Sequence, residues 1–256
     1  PSSGPNFLVS SARHDLARVE PGLVTAASRL PPQPGPRVLV VGDSVAGAIG
    51  ESAEDRQATL GVQARSATVP GCLLEEGIGA RAIVHEQIKP LDPGRSCVPT
   101  WIDGEQRFVP NNIVIIYGSA AGFQELELGG TWAGPCDPVY REWYEPRFRA
   151  VVRRFTQAGT TVSVVRLPHL VNDWAPPDTN QRIDCVNTMN ELVARTTSGV
   201  RILDLATFVC PQGQCRQEID GVDYRVDGMH FSTGAAKEIA HWLTDQISTE
   251  PRSALT

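Results

Sequence analysis

The chain has 256 residues, 41% of them hydrophobic and 20% charged, which suits one large or two small globular domains with a sizeable core. Its formal charge is −6, from 23 basic and 29 acidic residues, with no basic block, which argues against nucleic acid or a polybasic membrane surface as partner. The longest apolar runs, Val38–Val41 and Ile113–Tyr117, fall far short of the roughly 20 residues that cross a bilayer.

Residues 1–36 read as a leader. Leu16, Val19, Leu23, Val24, Ala27 and Leu30 fall at helical spacing, interrupted at Pro21-Gly22, and LPPQPGP (30–36) reads as an extended linker. The chain opens on Pro1 without a signal peptide, so we expect a processed form or an excised domain whose anchor lies outside it. Residues 37–248 read as the compact main domain and 249–256 as a tail.

The first strand is Arg37–Val41, followed by Gly42-Asp43-Ser44 and a helix to about Ala58. Gly61–Thr68 reads as a weaker second strand ending in Pro70-Gly71-Cys72. The spacing predicts a short amphipathic helix over Ala80–Lys89 and a loop over 90–110. Asn112–Tyr117 is the third strand, and 123–138 reads as an irregular insertion. Val139–Gln157 carries a helical stripe (Tyr140, Trp143, Phe148, Val151, Val152, Phe155) stopped by Gly159. Thr161–Leu167 is the fourth strand, Thr179–Arg195 a helix and Val200–Leu205 the fifth strand. A last helix runs from Thr233 to Ile247, capped by Ser232 or Thr233.

Strands alternating with helices predict a three-layer α/β/α sandwich around a five-stranded parallel sheet. In such folds functional groups collect beyond the carboxyl ends of the strands. Ser44, Gly71, the 118–122 turn and His169 all follow strands directly.

Ser44 lies where a helix begins, among free N–H groups at the positive end of the helix dipole. That place suits a nucleophile, and it equally suits a helix cap. A serine hydroxyl needs a base, and the base needs a group that fixes its tautomer. Asp227-Gly228-Met229-His230 offers both on one short loop before the last helix. Asp43 is read as a structural hydrogen-bonding residue of the turn. His169 is read as a structural or substrate-contact residue, without a carboxylate at a fixed spacing; His85 and His241 are placed on helices as solvated or partly packed residues. Trp101, Trp132 and Trp174 fall in loops, as sugar-stacking faces or as core anchors. No metal constellation and no phosphate-binding glycine loop are present, and no cofactor is expected.

Six cysteines point to an oxidising, extracytoplasmic compartment, against the alternative of six buried thiols. Cys210 and Cys215 flank a Pro/Gly loop that favours a local bridge. Cys72 with Cys97, and Cys136 with Cys185, are candidate longer bridges among fifteen possible pairings.

GDSV at 42–45 and DGMHFS at 227–232 resemble the first and last blocks of the SGNH hydrolases, also called the GDSL esterase/lipase family. The resemblance implies a flavodoxin-like fold and acyl transfer through a serine ester. Carried over, it implies Ser44 as nucleophile, His230 as base, Asp227 as its orienting partner, and the amides of Ser44 and Gly71 as oxyanion donors. The family's G-x-N-D block is replaced here by Gly118-Ser119-Ala120-Ala121, which removes the oxyanion asparagine at Ala120. A slow hydrolase, a substitute donor from the 119–132 loop, or a different acyl transfer would each accommodate the loss. The PGC turn at 70–72, the cysteines and the proline-rich lead-in are similar to SGNH domains fused behind bacterial acyltransferase-3 membrane proteins. That implies a membrane-tethered O-acyltransferase, using an acyl donor and a cell-envelope glycan acceptor and partnered by an upstream transmembrane acyltransferase domain. Ser119, Trp132 and His169 are candidate substrate contacts. The alternatives are an SGNH esterase of carbohydrate or lipid esters and a catalytically weak glycan-binding domain.

Overall fold

The computed structural model describes residues 35–248. The leader helix expected at 11–30, most of the linker and the tail at 249–256 lie outside the described residues. In chain order, β1 (Arg37–Gly42) leads to α1 (Ser44–Asp55), the single turn α2 (Gln57–Leu60) and β2 (Gln63–Thr68). Next come β3 (Ala80–Val84), β4 (Gln87–Pro90), α3 (Val98–Phe108), β5 (Asn112–Ile116), β6 (Gln124–Leu128) and β7 (Thr131–Ala133). Then follow α4 (Pro138–Gln157), β8 (Thr161–Arg166), α5 (Thr179–Arg195), β9 (Val200–Asp204), α6 (Leu205–Val209), the short hairpin β10 (Glu218–Ile219) and β11 (Val222–Asp223), and α7 (Thr233–Ser248).

The main sheet runs β2-β1-β5-β8-β9 and all its pairings are parallel. Its central strands are near-continuous apolar runs because helices cover both faces. Leu39 faces α3, where Gly104 packs close to it, and Val40 faces α1 at Gly50. α1 and α7 pack together on one face, while α3, α4 and α5 cover the other. This is the three-layer α/β/α sandwich expected from the alternating elements. From β1 the chain steps outward to β2, then returns across β1 to β5. A crevice therefore opens where β1 and β5 end, and both Gly42-Asp43-Ser44 and Gly118 empty into it.

Three segments differ from their expected form. Residues 80–89 form the hairpin β3–β4 rather than a helix, with His85 and Glu86 both at positive φ in its turn. His85 is thus a turn residue, not a helical one. Residues 98–108 of the expected loop form α3, and Trp101 on it is fully buried, donating its indole N–H to the Gly42 carbonyl at 3.3 Å. The insertion at 123–138 contains β6 and β7, which join β3 and β4 in a second, antiparallel sheet of order β4-β3-β6-β7.

All six cysteines are paired, as Cys72–Cys97, Cys136–Cys185 and Cys210–Cys215. The first bridge ties the turn after β2 to the start of α3. It spans 25 residues, and closing a loop of that size in the unfolded chain is worth about 3 kcal/mol. The double variant Cys72→Ser/Cys97→Ser is therefore expected to lose about 3 kcal/mol in urea unfolding. A loss well under ~1 kcal/mol would mean that the bridge does not constrain the unfolded chain.

Candidate active site

Asp43 sets the position of Ser44. It caps α1, with Oδ1 accepting from the Val45 amide at 3.0 Å and Oδ2 from the Gly118 amide at 3.1 Å. The carboxylate thus fastens the β1 turn to the β5 turn, as its reading as a structural residue expected. It is fully buried, and burial pushes its pKa up against the lowering effect of those amides. Ser44 is the first residue of α1, so its amide is one of those without a partner inside the helix.

The other half of the site comes from the loop before α7. The Ser44 hydroxyl donates to Nε2 of His230 at 2.8 Å. Nδ1 of His230 donates to Oδ2 of Asp227 at 2.6 Å, since a carboxylate can only accept. Oδ1 of Asp227 accepts from the amides of Met229 at 2.9 Å and His230 at 2.7 Å. Residues 186 positions apart in sequence are therefore joined in one chain of hydrogen bonds. The four-residue pattern D-x-x-H works because the loop folds the carboxylate back over both amides and the ring.

Several contacts hold that loop in place. Gly228 has φ of 78°, and its carbonyl accepts from the Val171 amide at 2.9 Å. Trp174 donates its indole N–H to the Asp227 carbonyl at 2.8 Å. Arg225, almost wholly buried, donates to the carbonyls of His169 and Gly228. On the far side Ser232 caps α7, its Oγ accepting from Ala235 N at 3.4 Å.

Partial burial works against ionisation of Asp227, but the hydrogen bonds from His230 and Met229 hold its carboxyl below the ordinary value of 3.8. The contribution of this group to stability is fully present above 3.8, its unfolded value, and is lost as pH falls through the lower folded value. Asp227→Asn is therefore expected to melt below wild type at neutral pH and to converge with it in strong acid. A melting difference that stays constant from pH 7 to pH 2 would contradict the depressed pKa.

The remaining candidates are spread more widely. Gly71 follows β2 at φ of 64°, next to the Cys72–Cys97 bridge. Ser119 is buried in a 3₁₀ turn, where its backbone amide also supports Asp43. His169 has a carboxylate partner after all: its Nε2 lies 2.8 Å from Oδ1 of Asp184 on α5. Trp132 is exposed on β7, with the Arg81 guanidinium 4.2 Å above its ring. Trp174 packs edge-on to Phe123. No group of three or more metal-ligating side chains occurs among the described residues.

Beside the turn that carries Ser44, a crevice of about 10 Å³ is lined by Asp43, Cys72, Gly118, Ala120 and Gln124. Behind it Tyr117 stacks on Tyr144, and burial raises both phenols well above their usual value.

A family model described as an SGNH domain fused to AT3 domains matches residues 13–245. The chain belongs to this SGNH family. Membership places the domain among hydrolases and acyltransferases that act on acyl esters. Solved structures of similar fold include the periplasmic domain of a Salmonella ser. Paratyphi A lipopolysaccharide acetyltransferase, 10% identical, covering 83% of this chain and 84% of that one at a TM-score of 0.53. The psychrotrophic esterase EstA from Pseudoalteromonas sp. is 11% identical, covering 82% and 96% at 0.53. A GDSL-like lipase from Bacteroides thetaiotaomicron is 13% identical, covering 82% and 86% at 0.51. At such identities these likenesses establish the fold alone. No curated protein sequence matches the chain. Three disulfides fit an extracytoplasmic location for this SGNH domain, and no helix among the described residues is long and apolar enough to cross a membrane.

Proposed function

We propose that this SGNH domain is an extracytoplasmic serine O-acyltransferase, passing an acyl group, acetyl by preference, to a hydroxyl of a cell-envelope glycan. The observation that carries the reading is the unbroken hydrogen-bond chain Ser44–His230–Asp227 at the N-terminus of α1. Ser44 Oγ attacks the carbonyl carbon of the acyl donor while its proton passes to His230 Nε2. Asp227 stabilises the imidazolium through the Nδ1–H bond. The charge on the former carbonyl oxygen is met by the amides of Ser44 and Gly71 and by the α1 dipole. Collapse expels the donor's oxygen, which takes the proton from His230 and leaves an acyl-serine. The glycan hydroxyl then attacks that ester, giving its proton to His230, and Ser44 departs with the same proton.

The family description couples such domains to AT3 domains, which supports an upstream membrane acyltransferase domain as partner and acyl source, and with it a tether to the membrane. The acetyltransferase among the structural neighbours gives a precedent of the same fold for the chemistry. The esterase reading is favoured by one observation: the His230 side chain is 33% exposed, so water reaches the base and can resolve the acyl-serine.

The test is a partition experiment. Supplied with an activated acetyl ester and soluble glycan acceptors, the domain is expected to yield acetylated glycan by mass spectrometry, with Ser44→Ala inactive. Acetate alone, at a rate independent of acceptor, would give the esterase reading the decision.

A further inference from the structure

An oxyanion needs donors that are fixed before the reaction and have no other partner. The two backbone amides at the β1 and β2 turns provide two, and Ala120 provides none. We propose that the side-chain amide of Gln124 is a third oxyanion donor, reaching the reacting oxygen from the crevice beside Ser44. The proposal rests on the acyl-serine reading above and names a residue of that same site.

The observations are of three kinds. Gln124 is 94% buried by the measure of its 6% exposure, yet its amide makes no hydrogen bond among the described residues. Its amide atoms stay open to the crevice, so the head group keeps its N–H donors free for an oxygen that arrives with the reaction. Its position is the second observation. Gln124 lines the crevice with Asp43, Cys72, Gly118 and Ala120. Asp43 and Cys72 are the chain neighbours of Ser44 and Gly71, whose amides are the backbone donors. The third is how it is held. Gln124 opens β6 and pairs with Ala82 of β3, so the second sheet fixes its backbone. The crevice holds about one water-sized group, the room a carbonyl oxygen needs. During attack no proton moves to or from Gln124; its N–H shortens onto the oxygen as the carbonyl π electrons settle there.

The test is steady-state kinetics on an activated acetyl ester, with phosphonate labelling of Ser44 alongside. Gln124→Ala is expected to lower kcat about 10²-fold or more with KM little changed, since the donor acts on charge that develops only in the transition state. Gln124→Glu keeps the shape, so it serves where truncation unfolds the protein; its ionised carboxylate accepts only, so a loss of similar size is expected. Adding Ala120→Asn to Gln124→Ala should recover part of the loss. Gln124→Ala and Gln124→Glu variants that fold, label at Ser44 and turn over within threefold of wild type would overturn the inference and leave the acyl-serine intact. Wild-type protein without labelling or turnover would overturn both.

Discussion

Replacing His230 by Ala is expected to lower turnover of an activated acetyl ester by about 10⁴-fold or more, the scale on which removal of a triad base acts. The imidazole is the only group that the structure places on the Ser44 hydroxyl among the described residues, at 2.8 Å. Without it the hydroxyl must lose its proton to water, and the leaving oxygen has no acid. The fold should hardly respond, because the ring is a third exposed and its loss opens no core cavity. Asp227→Asn should cost about 10⁴-fold by a different route. An asparagine still fits the loop, but its amide group can donate to Nδ1 and so favour the wrong tautomer. Rates and thermal midpoints of both variants check this directly; activity within tenfold of wild type would remove His230 as base.

Gly228→Ala should cost as much in function as many a direct deletion, although its own side chain does nothing. A Cβ there would lie 1.9 Å from the Val171 carbonyl oxygen and 2.7 Å from Cβ of Asn172, at a φ of 78° that side chains rarely adopt. The loop must lift off the 171–172 segment, breaking the Val171–Gly228 hydrogen bond. Asp227 and His230 flank this glycine, so both would shift. A displacement near 1 Å costs about 10² in rate through lost alignment alone. We expect at least that loss, together with a lower melting temperature. Activity within threefold of wild type in the folded variant would mean that the loop tolerates the shift.

The main sheet and the hydrogen-bond chain of Ser44, His230 and Asp227 were legible in the chain because each left a local mark. Buried parallel strands read as unbroken apolar runs, and Asp227 and His230 share one four-residue turn. The second sheet was harder. Ala80 and Ala82 are buried on alternate positions of β3, which is a strand period, but the run is too short to exclude a helix. Its turn uses His85 and Glu86 at positive φ, residues that carry no hairpin signature. The β6–β7 hairpin did carry one, in Gly129-Gly130 between alternating segments. α3 was hidden by Pro99 and Gly104. Yet proline fits the first turn of a helix, and Gly104 is there because Ala67 lies 2.7 Å from where its Cβ would be.

Two functional candidates were missed for a related reason. Asp184 reaches His169 only through the packing of α5 beside β8. Gln124 had a signal that could have been read: it shares the period-two face of Leu126 and Leu128, both buried, where a polar residue stands out. What the sequence lacked was the second sheet, without which that face had no location. The asparagine absent at Ala120 was visible from the start, while the amide across the crevice from it needed the fold.

On the proposed mechanism Ser44 is a nucleophile and not only a helix residue. Intact-mass and peptide mass spectrometry after reaction with a fluorophosphonate tests it most directly. A single adduct on Ser44, absent from Ser44→Ala, is the predicted result. Folded wild-type protein that takes up no adduct, or an adduct that persists in Ser44→Ala, would contradict it.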